Sequence, residues 1–233
     1  MDEWPAAHPT KLYFSRHHRL TSDVPLFGAE QVQAGDDEYS YSPANPASTT
    51  GGNNLILILL GHKCGPQDQS HIERRKDVVV FTTSTPLAAP VAITGRITAE
   101  LYVSSNRKDT DFTVSLTDVY PDGWHSKSIQ VRYGIQRMRW RDGPTKQSPP
   151  MEADQVYKIT VDLWPTSWVF NAGHRIRVSV SSSNAPYYMR NDNLDDELLH
   201  RRPEYANERA RNTVHFSSEY PSHITLPIVD LEE

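Results

Sequence analysis

The chain has 233 residues, of which 37% are hydrophobic and 23% charged, enough to bury the core of one domain. A net charge of −5 provides neither the phosphate neutralisation nor the polybasic attraction that nucleic-acid and anionic-membrane partners require, so neither partner is expected. A single cysteine excludes an internal disulfide framework, while 17 prolines and 11 glycines suit many short strands joined by turns.

The first 69 residues lack a long periodic pattern. Prolines interrupt them repeatedly, and only residues 11–14 alternate as a short strand, with Leu12 and Phe14 on one side. The first five residues do not resemble a secretory signal, and the longest apolar run, residues 55–60, is too short to span a bilayer. We therefore expect an irregular connecting segment over residues 1–69 in a soluble chain, with the cytoplasm as the favoured location.

Strand patterns follow one another from residue 77 onward. Residues 78–81 are continuously apolar, as in a central strand. Residues 91–104 alternate with period 2, and Gly95 within them indicates a bulge or a close backbone approach. Further alternating segments surround Phe112 and Val131.

Residues 157–181 contain the clearest pattern in the chain. Apolar residues alternate up to Leu163 and again from Ile176 to Val180, which predicts a hairpin closed by a turn at residues 171–174. Closing strands are expected near Val214 and Ile224, and residues 191–211 are predicted to be a loop with a helical turn. Seven to nine strands without a long helix favour an antiparallel β-sandwich.

Several motifs in the same order resemble one known family. They are residues 41–52 (YSPANPASTTGG), 65–69 (GPQDQ), 109–112 (DTDF), 118–123 (DVYPDG), 162–183 (DLWPTSWVFNAGHRIRVSVSSS) and 220–227 (YPSHITLP). The chain resembles the C-terminal β-domain of the cocaine esterase and X-prolyl dipeptidyl aminopeptidase (CocE/NonD) family of serine hydrolases. The resemblance implies a jelly-roll β-sandwich of the galactose-binding-like type over residues 70–233, with residues 1–69 packed on it.

No catalytic residue is predicted within this chain. A nucleophile elbow needs Gly-x-Ser-x-Gly, which the sequence lacks, and Cys64 lies one position late for a thiol version in residues 61–65. In the family, the serine, aspartate and histidine all come from an α/β-hydrolase domain that would precede Met1. The resemblance therefore implies a non-catalytic part of a hydrolase, without cofactor.

The candidate site residues are Leu57, Ile58, Leu59 and Leu60. In the cocaine esterase branch, apolar residues between the Gly-Gly and Gly-Pro-x-Asp-Gln motifs reach the hydrolase domain and line the acyl pocket. Such residues would supply shape and desolvation, not proton transfer. A buried strand is the alternative interpretation of these four residues.

Three other residue groups could carry a function. Carboxylates at Asp109, Asp111, Asp118 and Asp122 could bind calcium, but they lack an Asp-x-Asp-x-Asp-Gly series, and turn or strand capping is favoured. The ten histidines show no tight ligand spacing, and no metal site is predicted. The aromatic residues Trp124, Trp140, Trp164, Trp168, Tyr187 and Tyr188 could stack on sugars. Packing is favoured for Trp164 and Phe170 within the family signature.

Two positions depart from the family pattern. Tyr133 stands where an aspartate usually precedes Gly134, and Met189 replaces a turn aspartate. If those carboxylates brace the contact between the two domains, that contact is altered in this chain.

The leading hypothesis is a β-domain that stabilises an α/β-hydrolase domain of the same protein or a separate chain, borders its substrate pocket and supports self-association as a homodimer. The complete enzyme would be a serine hydrolase with dipeptidyl-peptidase or esterase activity. A free-standing carbohydrate-binding module and a regulatory scaffold for a separately encoded hydrolase are the alternatives.

Overall fold

Eleven strands and one short helix make up the computed structural model, which describes residues 5–22, 31–52, 59, 61, 63–121, 127–194 and 208–230. The strands are β1 (His8–Ser15), β2 (Arg19–Thr21), β3 (Gly35–Tyr41), β4 (Val79–Thr83), β5 (Val91–Ser105), β6 (Asp111–Val119), β7 (Ser128–Arg137), β8 (Tyr157–Phe170), β9 (Arg175–Ser181), β10 (Ala210–Phe216) and β11 (His223–Val229). Helix α1 (Ser70–Glu73) precedes β4, and a 3₁₀ turn, Met138–Trp140, follows β7. Within these ranges, no helix is long and apolar enough to cross a membrane.

Hydrogen bonds join the strands into one sheet of order β3-β10-β5-β11-β1-β2-β4-β9-β6-β7, and β8 pairs with β5 beside this path. All pairs are antiparallel except the short parallel pair of β2 and β4. The all-β prediction is therefore confirmed.

The sheet folds over on itself, because β7, at one end of the strand order, packs closely on β8, which is paired with β5. A Cβ placed on Gly134 of β7 would lie 2.2 Å from the carbonyl oxygen of Asp162 in β8. Only a residue without a side chain allows the two backbones to approach so closely. The fold-over produces the layered arrangement expected of a jelly roll.

The core lies between the layers, and residues of the N-terminal segment belong to it. The ring of Phe14 stacks on that of Phe81 at 4.3 Å, and Phe81 meets Phe216 edge-on at 5.6 Å. All three are fully buried or nearly so. Residues before 70 therefore contribute three strands, more than the single short strand expected, whereas a domain boundary at residue 69 stays a prediction.

The pattern around Gly95 is explained by a close contact with β11. Gly95 has φ +135°, and a Cβ there would lie 3.2 Å from the Cβ of Pro227. The pairing between β11 and β5 also shifts register between Thr225 and Ile228. Of the two alternatives predicted at Gly95, the bulge is confirmed, and the close contact is with the side chain of Pro227.

The hairpin predicted over residues 157–181 is wrong, although both of its strands exist. β8 pairs with β5, whereas β9 pairs with β4 and β6. The turn at residues 171–174 therefore connects two strands that are not hydrogen-bonded neighbours. The helical turn predicted within residues 191–211 falls mostly outside the described residues.

Candidate functional site

The first two aspartates considered for calcium form buried ion pairs. Arg139 Nε lies 2.7 Å from Asp109 Oδ2, and Arg137 Nη2 lies 2.8 Å from Asp111 Oδ2. Asn191 Nδ2 donates to both carboxylates, at 2.7 and 2.8 Å. Because arginine and asparagine donors already satisfy these oxygens, the pair fixes the strand ends against the loop at residue 191.

Asp118 is similarly engaged. Its Oδ1 lies 2.7 Å from His174 Nδ1, and its Oδ2 accepts a hydrogen bond from Trp168 Nε1 at 3.2 Å. Burial raises the pKa of Asp118. Asp122, the fourth carboxylate, lies outside the described residues. Among the residues that the structure describes, no three His, Cys, Asp or Glu side chains are grouped so as to hold a metal ion.

Of the four residues predicted to line a pocket, the structure describes Leu59 alone. Its side chain is exposed, with 80% of its surface accessible. Leu57, Ile58 and Leu60 lie outside the described residues, so the choice between pocket wall and buried strand stays open for them.

The two ends of the segment that carries these residues are held together by a glycine bridge. Gly52 N donates to Gly65 O at 3.0 Å, and Gly65 N donates to Gly52 O at 2.7 Å. Gly52 has φ +91°, and a Cβ there would lie 2.4 Å from the hydroxyl oxygen of Tyr133. The bridge therefore presses directly against Tyr133, and only glycine fits at residue 52.

Tyr133 belongs to a cluster of three tyrosine rings. Tyr133 meets Tyr187 at 5.2 Å and Tyr188 at 6.0 Å, and the last two lie 4.9 Å apart, all edge to face. This is the arrangement that aromatic quadrupoles favour. Burial raises the pKa of Tyr133 and Tyr188, so their phenols stay neutral and retain their hydroxyl donors at physiological pH.

Residues of the N-terminal segment position this cluster. Thr49 N donates to Ala185 O at 2.6 Å, and Tyr187 N donates to Thr49 Oγ1 at 3.1 Å. The same hydroxyl donates to Asn184 O at 3.0 Å. The Ser-Thr-Thr-Gly-Gly motif at residues 48–52 thus ties the tyrosine loop to the glycine bridge.

A bulge in β8 presents Trp164 beside the tyrosines. Ile97 pairs with Trp164 and Thr98 with Asp162, which leaves Leu163 as the extra residue. Trp164 has φ +68°, a left-handed conformation that a bulky residue rarely adopts, and 61% of its surface is exposed.

Side-chain contacts hold the bulge in this conformation. Asp162 Oδ1 accepts a hydrogen bond from the Trp164 backbone N at 2.9 Å, and Arg96 binds both oxygens of the carboxylate, at 3.1 and 2.6 Å. Arg96 lowers the pKa of Asp162. These contacts offset the strain at residue 164 and keep the indole outward.

Together these side chains border an open depression of about 320 Å³. We call Arg132, Tyr133, Trp164, Tyr187 and Tyr188 the tyrosine–tryptophan face. Arg132 Nη2 donates to the carbonyl oxygen of Pro165 at 2.7 Å, which anchors its guanidinium at the edge. Aromatic side chains and arginine are the residues enriched at the energetic centres of protein interfaces.

The packing role expected for Trp164 is therefore wrong for this chain, because the bulge turns the indole outward. Phe170, the other residue of that expectation, is fully buried. Met189 is 80% exposed next to the cluster, and Tyr133, the other departure from the family pattern, lies at its centre. Those two departures were the sequence signal for this surface.

Of the described tryptophans, Trp140 and Trp168 do not line the face. Trp140 is half-buried in the 3₁₀ turn, Trp168 donates to Asp118, and Trp124 lies outside the described residues. Cys64 is half-buried beside Gly65.

The chain is similar to a family model and to several known proteins. The family model described as X-Pro dipeptidyl-peptidase C-terminal non-catalytic domain matches residues 1–225. The chain is similar to cocaine esterase from Rhodococcus sp. (strain MB1 Bresler), with 43% identity over 194 residues, 83% of this chain and 32% of the esterase. The chain thus spans about a third of the length of that relative.

Two solved structures have a similar fold. An aminopeptidase from the marine sediment archaeon Thaumarchaeota archaeon matches with a TM-score of 0.84 and 28% identity, over 98% of this chain and 38% of that one. An α-amino acid ester hydrolase matches with a TM-score of 0.82 and 29% identity, over the same 98% and 38%.

Proposed function

Because the chain belongs to the family of X-Pro dipeptidyl-peptidase C-terminal non-catalytic domains, we propose that it docks on an α/β-hydrolase domain through its tyrosine–tryptophan face. The matched region is about a third of the similar esterase, aminopeptidase and ester hydrolase. The remaining two thirds of such a protein would supply the catalytic domain and the surface that meets this face.

The exposed Trp164 is the observation on which this proposal rests. A tryptophan held outward at 61% exposure, in a left-handed backbone conformation, is costly in an isolated domain. The ion pair between Arg96 and Asp162 fixes that conformation before any partner binds. A preorganised aromatic anchor loses little conformational entropy on docking, which favours a role in binding.

The glycine bridge connects the docking face to the substrate pocket in this proposal. It brings the two ends of the 53–64 segment together beside Tyr133, and Leu59 in that segment is exposed. Leu57, Ile58, Leu59 and Leu60 would then line the acyl side of the hydrolase pocket. Apolar residues at such a place exclude water and shape the pocket around the substrate.

The chemistry would take place on the partner domain. In the joined enzyme, a serine activated by a histidine and oriented by an aspartate would transfer the acyl group of an ester or of a bond that follows an X-Pro dipeptide. The present chain would donate no proton and no nucleophile. Its contribution would be to stabilise the hydrolase domain and to border the pocket.

A chimera provides the test. The matching third of the Rhodococcus cocaine esterase is replaced by this chain, and hydrolysis of the cocaine ester and thermal unfolding are measured. We expect an active protein. In this chimera, Trp164→Ser should weaken the free energy of domain docking by about 2 kcal/mol or more, because a buried anchor is lost.

Val169→Ser is the matched control, since Val169 is an exposed apolar residue on the same strand, at 43% exposure, outside the face. It should change stability by no more than about 0.5 kcal/mol. Equal effects of the two substitutions on melting and on activity would overturn the docking role of the face.

The depression beside Trp164 also keeps the carbohydrate-binding alternative open, because exposed indole rings can stack on sugars. Titration of the chain with monosaccharides and oligosaccharides, followed by tryptophan fluorescence, distinguishes the two functions. Saturable quenching that Trp164→Ser abolishes would favour the sugar-binding module. Docking on a hydrolase domain predicts no saturable change.

A further inference from the structure

A second concave site, which shares no lining residue with the tyrosine–tryptophan face, lies on the outer side of the sheet. Arg175 and Arg177 are two residues apart on β9, so they point to the same side. Pairing with β6 places Val119 beside Arg175 and Thr117 beside Arg177. These rows form the floor of a cleft.

Helix α1 and the start of β7 form the walls. The cleft has a volume of about 270 Å³, and its charged and hydroxyl-bearing lining includes Glu73, Arg74, Lys127, Ser128, Arg175 and Arg177. None of these residues belongs to the tyrosine–tryptophan face.

The single carboxylate in this lining is fully engaged. Glu73 Oε2 lies 2.7 Å from Arg177 Nη1, while Glu73 Oε1 accepts hydrogen bonds from Thr117 Oγ1 at 3.0 Å and Ser128 Oγ at 2.6 Å. Its side chain is 4% exposed. Arg177 Nε also donates to Thr82 Oγ1 at 2.8 Å. Glu73 therefore neutralises Arg177 and sets its position.

Three cations remain around the cleft. Among the described residues, no carboxylate forms an ion pair with Arg74, Lys127 or Arg175. The whole chain carries a net charge of −5, so the local charge of this cleft has the opposite sign to that of the chain. Like charges held in one concave site repel one another, and a bound anion relieves that repulsion.

We propose that this cleft binds a small tetrahedral oxyanion of the phosphate type. Guanidinium groups present paired N–H donors that match the oxygens of a phosphate, and the lysine adds a point charge. This assignment does not depend on the docking of a hydrolase domain.

Calorimetric titration of the 233-residue chain with inorganic phosphate, at an ionic strength held constant with sodium chloride, tests the site. We expect saturable 1:1 binding. Arg175→Gln should weaken it about tenfold, because one charge-assisted contact is lost. Lys127→Gln should also weaken it, while Lys146→Gln, on an exposed loop outside the cleft, should leave it unchanged.

Thermal melts of each variant check that the fold is intact. If Arg175→Gln destabilises the chain, Lys127→Gln replaces it as the test of the site, because Lys127 is exposed. Sulfate should compete with phosphate, whereas acetate should bind more weakly. Heats that do not saturate, equal binding of acetate, or equal affinities of the Lys127→Gln and Lys146→Gln variants would each overturn the assignment.

Discussion

Val178 tests the strand assignment most sharply, because its side chain is fully buried at the centre of β9. It lies opposite Phe81 of β4 on one side and opposite Leu116 of β6 on the other. Both neighbours are also fully buried. Val178→Asp would therefore place a carboxylate within apolar surroundings.

Loss of the valine side chain and burial of a charge both cost free energy of folding. Val178→Ala removes two methyl groups, which costs about 1.6 kcal/mol of transfer free energy plus a cavity contribution. Val178→Asp costs several kcal/mol, comparable with the whole stability of a domain, about 5–15 kcal/mol. Since 1 kcal/mol shifts the melting temperature of a chain of this size by about 2–4 °C, the alanine variant should melt several degrees lower.

Thermal unfolding followed by circular dichroism is the assay, with Val169→Asp as the matched control. Val169 is the same residue type at 43% exposure on β8, so the same substitution should cost less than about 1 kcal/mol there. Val178→Asp should give a chain that does not melt cooperatively. A Val178→Asp protein that melts within a few degrees of the parent would refute the assigned side of β9.

Three further outcomes are expected. Gly134→Ala should lower the free energy of unfolding by about 1–3 kcal/mol, because the new Cβ would lie 2.2 Å from the carbonyl oxygen of Asp162. Gln136→Ala on the same strand is the control and should lower it less. Equal melting temperatures of the two variants would contradict this packing. Burial lowers the pKa of His215 and His223, so the unfolded chain takes up protons first as the pH falls. Stability should therefore decrease between about pH 7 and pH 5, and the double variant His215→Gln/His223→Gln should flatten that dependence in thermal melts. A fluorophosphonate probe should leave the chain unlabelled, because the sequence has no nucleophile elbow; stoichiometric labelling of one serine, read by mass spectrometry, would argue against a non-catalytic chain.

Periodicity was enough to predict the long strands. Alternation in residues 91–104 and 157–163 reports which side of a strand is buried, and Leu101, Ile159 and Val161 are indeed in the core. Periodicity does not report the partner of a strand. The hairpin prediction failed because β8 and β9 are close in sequence, whereas their partners are set by side chains distant along the chain.

The docking face was harder to predict, because it depends on backbone conformations that a sequence does not display. The outward Trp164 requires a register shift between Ile97 and Thr98. No local residue pattern predicts that shift. The glycine bridge requires Gly52 to meet Gly65 across twelve intervening residues. The family pattern nevertheless pointed to this region, because Tyr133 and Met189 depart from it there.

Solvent protection of Trp164 is the most direct measure of the proposed docking. Oxidative footprinting with mass spectrometry compares the isolated chain with the same chain joined to a hydrolase domain in the esterase chimera. We expect rapid oxidation of Trp164 and Met189 in the isolated chain and strong protection of Trp164 in the chimera, while Tyr120, exposed elsewhere, should react equally in both. Equal oxidation of Trp164 in the two proteins would contradict the tyrosine–tryptophan face as the docking surface.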